Sequence, residues 1–150
     1  MKLERGALIA EIIGGIAVVL SLVFVGRELS QSNALNRAAT YQSMMVSINE
    51  AIRPVYEDAE MTPLWVASQT GRIDELTEAE RARVRQVVIA MFRLYDSAFY
   101  SYEYSTLGES EWNRIETQVC RQKSFMTDLA WTAIENTISE SFNEFIEAKC

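Results

Sequence analysis

Hydrophobic positions fall along this chain in three regimes. From Gly6 to Gly26 they are almost unbroken: GALIAEIIGGIAVVLSLVFVG carries a single charge, Glu11, and no proline. From Leu35 to Ile52 they thin to one stripe, Leu35, Ala38, Tyr41, Met45, Ile48 and Ile52, with helix formers and polar residues between. Beyond Thr62, short apolar stripes alternate with capping and stop signals. Apolar positions three and four apart share one face of an α-helix, whereas a strand alternates at every second position. No stretch sustains the strand pattern, so the fold is predicted to be all-α.

The first regime predicts a transmembrane helix. At 1.5 Å rise per residue it is roughly 31 Å long, the thickness of a bilayer's hydrocarbon. Two other origins yield such a run. A secretory signal has a basic start, here Lys2 and Arg5, but a shorter apolar run and a small-residue cleavage site behind it. This chain continues instead into Arg27, Glu28 and SQSN. A buried core helix is also apolar all round, yet 150 residues form one modest domain with this run at its centre. The span is the better reading.

After Gly26 helical signals continue to Pro54. They predict one long helix that leaves the membrane as an amphipathic stalk and ends before the proline. The polar Ser30–Asn33 is the alternative, a loop between two helices. Further on, Thr62–Pro63 reads as an N-cap with a first-turn proline, and Gly71 as a stop. Thr77 and Glu80 form a capping box. The helix they open runs to about Tyr104, with Val84, Val87, Val88, Met91, Leu94, Tyr95, Ala98 and Tyr102 on its buried face. Arg81 and Arg83 follow Glu78 and Glu80 at three residues, a solvated charge cluster. Gly108 reads as that helix's stop. A helix from Glu109 to about Gln122 then turns Trp112, Ile115 and Val119 inward, and Ser139 caps a last helix carrying Phe142, Phe145 and Ile146. The expected organisation is a tail and transmembrane helix over 1–26, a stalk over 27–53 and a small helical bundle over 54–150.

Three groups in this pattern are candidate sites. Ala7, Ala10, Gly14, Ala17 and Ser21 recur at three and four and form one stripe of the span. Small residues let a second backbone approach closely in lipid, so the stripe predicts association with a second copy or a partner subunit. Glu11 borders the stripe. A carboxylate at mid-bilayer costs about 3 kcal/mol or more, but Glu11 lies only about 7 Å along the axis from Gly6. It is either an interfacial carboxylate or, in an oligomer, part of an acidic ring or an inter-subunit contact. Phe92, Tyr95, Phe99 and Tyr102 also recur at three and four; they are expected as core, with a ligand groove or subunit contact as the alternative.

Charge narrows the partners. The segment to Gly26 is neutral, so the formal charge of −7 falls on residues 27–150. An acidic domain repels phosphate backbones, which argues against nucleic acid and against lying flat on anionic lipid. The chain contains no histidine. That removes the commonest general base, the Ser–His and Cys–His nucleophile pairs, and the Glu-x-x-His pairs of di-metal bundles. No CxxC, phosphate loop or calcium-loop spacing is present, so no catalytic residue, metal ligand or cofactor is assigned and enzymatic activity is not expected. Cys120 and Cys150 are left open between a disulfide in an oxidising compartment and thiols in the cytoplasm. The positive-inside count is nearly tied, with Lys2 and Arg5 before the span and Arg27 and Arg37 after it.

Four segments together resemble a group of bacterial single-span, membrane-anchored helical proteins without an assigned activity. They are Ile13 to Gln42, Pro63 to Trp65, Glu75 to Arg83, and the Tyr-rich end of the central helix before Leu107 to Trp112. The resemblance covers most of the chain. It implies an inner-membrane anchor with a helical bundle and no catalytic residues. The more basic flank usual after the span in such sequences implies a cytoplasmic bundle, a slight lean that this chain's balanced flanks do not reinforce. The expected partners are the lipid bilayer and either further copies of the chain or a larger membrane complex. Three functions fit: a scaffold that oligomerises through the small-residue stripe, a homo-oligomeric pore with Glu11 near one mouth, or an accessory subunit.

Overall fold

A computed structural model describes the backbone of residues 2–126 and 128–150, and side chains over 11–126 and 130–150. Its elements are all helical: α1 (Lys2–Glu57), α2 (Met61–Gln69), a 3-10 turn (Ile73–Glu75), α3 (Glu78–Glu103), α4 (Glu109–Lys123), α5 (Asp128–Glu135) and α6 (Glu140–Lys149). No strand occurs among the described residues. The chain divides into two compact units, one up to Arg37 and one from Ala38 to Cys150.

The first unit is the N-terminal part of α1. No proline interrupts its apolar run, and Ser30–Asn33 is helical, so the alternative loop does not form. Every position from Ile12 to Val25 is exposed. The bulky ones lie between 46% and 67% accessible.

In the second unit α3 is the hub, packing against α2, α4, α5 and α6. Its capping box forms as the sequence predicts: Thr77 Oγ1 accepts from the Glu80 N–H at 3.3 Å, and the Glu80 carboxylate accepts from the Thr77 N–H at 2.7 Å. Val84, Val88, Met91, Phe92, Tyr95, Ala98 and Phe99 form its buried face. Trp112, Ile115 and Val119 come in from α4, and Phe142 and Ile146 from α6. Phe99 links these layers, with ring centroids 5.5 Å from Trp112 and 5.3 Å from Phe142.

The remainder of α1 belongs to this bundle. Met44 is buried in its core, and Tyr41, Met45, Ile48 and Ile52 pack against it. The compact unit therefore begins at Ala38, within the segment 27–53 expected as a stalk, rather than at residue 54. Pro54 also lies inside α1, which ends at Glu57. In the last turn a proline forfeits one intrahelical bond, and the helix has few residues left to lose beyond it.

Other departures are confined to caps, turns and one ion pair. Glu60, not Thr62, is the N-cap of α2. The Thr62 hydroxyl donates backward to the Val55 carbonyl at 2.6 Å, and Pro63 still falls in the first turn, where N–H groups need no intrahelical acceptor. Gly71 does stop α2: at φ 73° it takes the left-handed conformation, and the Arg72 N–H returns to the Ala67 carbonyl at 2.9 Å. The end of α3 uses the same motif with Ser105, at φ 58°, in the left-handed position. Thr106 then donates to the Ser101 carbonyl at 2.9 Å. Gly108, expected as the stop, instead caps the start of α4. Arg83 bridges Asp58 at 2.8 Å and Glu60 at 3.1 Å, tying the α1–α2 turn to α3.

Candidate functional site

The first unit holds the strongest candidate. Its helix is long and apolar enough to cross a membrane, with a mean hydropathy of 2.0 in its most apolar window and none of that window buried by protein. At 100° per residue, Gly14, Ala17 and Ser21 fall within a sector of about 60°, and Glu11 lies about 60° to one side of Gly14. All four are exposed. A Cβ added to Gly14 or Gly15 meets nothing within 4 Å. Among the described residues, none uses the close approach those glycines permit. Ala7 and Ala10, the other members of the stripe, lie outside the residues whose side chains are described.

The aromatic positions are core. Phe92, Tyr95 and Phe99 are buried, and Tyr102, half-buried, stacks on Trp112 with centroids 5.4 Å apart. Burial pushes the Tyr95 hydroxyl up to about 12, because an ionised phenolate among apolar neighbours loses its hydration. That group stays neutral at physiological pH and offers no acid–base chemistry. The exposed pair of the Tyr-rich segment is Tyr100 and Tyr104, one helical turn apart with centroids at 4.3 Å.

Two further features of the second unit are a space that sequence reasoning did not find and a pairing that it left open. The first is a cavity of about 410 Å³ between α2, α3 and α5. Val84, Val88 and Ile134 form its apolar floor, and Asp74, Glu78, Arg81 and Arg85 stand among its lining residues. Arg81 and Arg85 both pair with Glu78, at 3.4 and 3.6 Å. These four side chains carry no net charge. No sequence signal marks this space, because its walls are separated by up to 66 positions and meet only through packing.

The second is the pairing of the two cysteines. Cys120 of α4 and Cys150 at the end of α6 form a disulfide with Cα atoms 4.9 Å apart. It closes a run of contacts that hold α6 in place. At the helix start, Asp96 of α3 accepts from the Ser139 N–H at 2.8 Å and from its hydroxyl. Ser139 in turn caps the Phe142 N–H at 3.3 Å. Near the end, Lys123 bonds Glu147 at 2.6 Å and sits over the Trp131 ring at 3.6 Å. The Lys123 ammonium holds the Glu147 carboxyl below the usual carboxylate range. These are structural ties. Among the described residues no cluster of three His, Cys, Asp or Glu side chains is placed to hold a metal ion. Comparisons with protein-family models, with curated proteins and with solved structures found no match.

Proposed function

We propose that this protein is a single-span scaffold of a bacterial inner membrane. The helix at residues 6–26 anchors it and associates with further copies through Gly14, Ala17 and Ser21, together with Ala7 and Ala10. One observation carries the reading: fourteen consecutive residues, Ile12 to Val25, are exposed although the chain folds a well-packed core elsewhere. A surface this apolar needs a lipid or protein covering, since exposed apolar area on this scale is not left to water. The recurrence of small residues at three and four along one face supports a close helix–helix contact over a purely lipid-facing role. The bundle then serves as the platform that the assembly presents.

The experiment is the mass of the gently solubilised native particle, for the wild type and Gly14→Leu. The scaffold reading expects an integer multiple of the 17.1 kDa chain, falling toward the monomer in Gly14→Leu. A wild-type monomer contradicts the association. Co-release with other, larger polypeptides favours an accessory subunit. The pore reading draws on the position of Glu11 beside the stripe. It is tested by conductance of the reconstituted oligomer, which Glu11→Gln changes if the carboxylates line a path.

A further inference from the structure

We infer that the helical bundle faces an oxidising compartment, with the residues before the span on the opposite, reducing side. This placement rests on the reading of residues 6–26 as a membrane anchor and settles what the flanking charges leave tied. It opposes the cytoplasmic placement that the resemblance implies.

The first observation is the fate of the only two cysteines in the chain. They lie 30 positions apart, on two different helices, yet the fold brings them into one disulfide and leaves no free cysteine. Their approach is built by other contacts: Asp96 fixes the start of α6, Phe142 and Ile146 seat it in the core, and Lys123 holds Glu147 one turn before its end. These contacts bring the two cysteine positions together at the end of α6. A pair so placed persists as thiols only where reductants keep it reduced; in an oxidising compartment it closes. Cys120 is half-buried and Cys150 exposed, so an oxidant can reach the pair.

The chemistry balances as thiol–disulfide exchange. The exposed Cys150 thiolate attacks the disulfide of an oxidising carrier protein, forming a mixed disulfide and expelling one carrier thiolate. The Cys120 thiolate then displaces the second carrier sulfur. The two protons lost by the cysteines are taken up by the carrier thiolates, so two electrons and two protons pass to the carrier, which leaves as a dithiol.

The second observation is the charge around the span. Only Arg27 and Arg37 are basic in the twenty residues after Gly26, against Lys2 and Arg5 before the span, so the tied count does not oppose the placement. Few positive charges oppose export of the bundle, and long domains cross largely regardless of their own charge. Lys2 and Arg5 then lie on the reducing side.

The test uses the full chain in the membranes of a bacterial host. Cells are quenched in acid, and free thiols are tagged with a bulky maleimide under denaturing conditions, with and without prior reduction. The inference expects no tag before reduction and two after it. In parallel, Cys120→Ser leaves the exposed Cys150 as the sole thiol, and spheroplasts are treated with a membrane-impermeant maleimide. Labelling of intact spheroplasts is expected. Two free thiols in the wild type, or labelling of Cys120→Ser only after lysis, overturns the placement while leaving the anchor intact. A chain that alkaline washing strips from the membranes overturns the anchor and the placement with it.

Discussion

Two stretches of α1 lie in the same helix and meet opposite surroundings. Over residues 12–25 apolar side chains point in every direction and all of them are exposed. Over residues 41–52 the apolar positions are confined to one face; Met44 is buried, and Tyr41, Met45, Ile48 and Ile52 lie against the bundle core. Helix formation does not distinguish them. The difference is the solvent each one calls for. A single stripe is satisfied by packing against neighbouring helices, whereas a helix apolar all round must be enclosed completely, by a large core or by lipid. No residue of the first stretch belongs to the described bundle core, so its enclosure has to come from elsewhere, which the proposed anchor finds in lipid.

That contrast makes the two regions separable by mutation. The largest effect is expected at the centre of the bundle. Trp112 is 1% exposed and packs its ring against Phe99, Tyr102 and Phe145. Trp112→Ala is expected to lower bundle stability by about 3–5 kcal/mol. Thermal melts followed by circular dichroism read that loss, and membrane retention should not change. A comparable loss of retention would mean that the two regions are not independent.

The reciprocal change is Ile16→Arg, on the face opposite the small-residue stripe. A charge at the centre of a span costs about 2.5–3.5 kcal/mol of insertion. The membrane-bound fraction should fall while the melting of the bundle stays where it was. If the melt shifts instead, residue 16 is packed against protein and the reading of an uncovered helix fails.

The smallest effect sharpens the bundle side of the comparison. Glu147, held by Lys123, has its folded pKa below the ordinary carboxyl value of 4.5. A carboxyl depressed by folding contributes stability that is present above its unfolded pKa and is lost as pH falls through the folded one. The melting temperature is therefore expected to show no Glu147-linked change from neutrality to about one unit above 4.5, and to decline below it. Because the Glu147 side chain is 58% exposed, the decline from this pair is small and screened by salt. Glu147→Gln should make the acid limb shallower; an unchanged limb would show that the pair contributes nothing measurable.

What was legible in the sequence is what residues three or four apart decide among themselves. The capping box at Thr77 and Glu80, the Ser139 cap, the inward set Trp112, Ile115 and Val119, and the stop at Gly71 all follow from such local rules. Where the sequence reading missed, partners distant along the chain or competing local geometries won. Arg83 has Glu80 beside it but reaches Asp58 and Glu60, which tertiary packing brings near. Thr62 spends its hydroxyl on Val55 because the chain turns back there. Ser105 takes a left-handed conformation usually left to glycine, so the helix ends near Tyr104 as expected while the stop is not the glycine three positions later. At the candidate site, the apolar run and its stripe were readable from periodicity alone. The meeting of Cys120 and Cys150 was not, since it depends on where α6 docks.

The measurement that bears most directly on the account is flotation of the full chain with lipid vesicles after washing in alkaline carbonate. Such washing releases proteins held at a membrane surface and leaves spanning helices in place. The account predicts that the chain floats with the vesicles and that its bundle melts as before. A chain left at the bottom of the gradient, with an intact bundle, would contradict it: residues 6–26 would then find their cover in protein rather than in lipid.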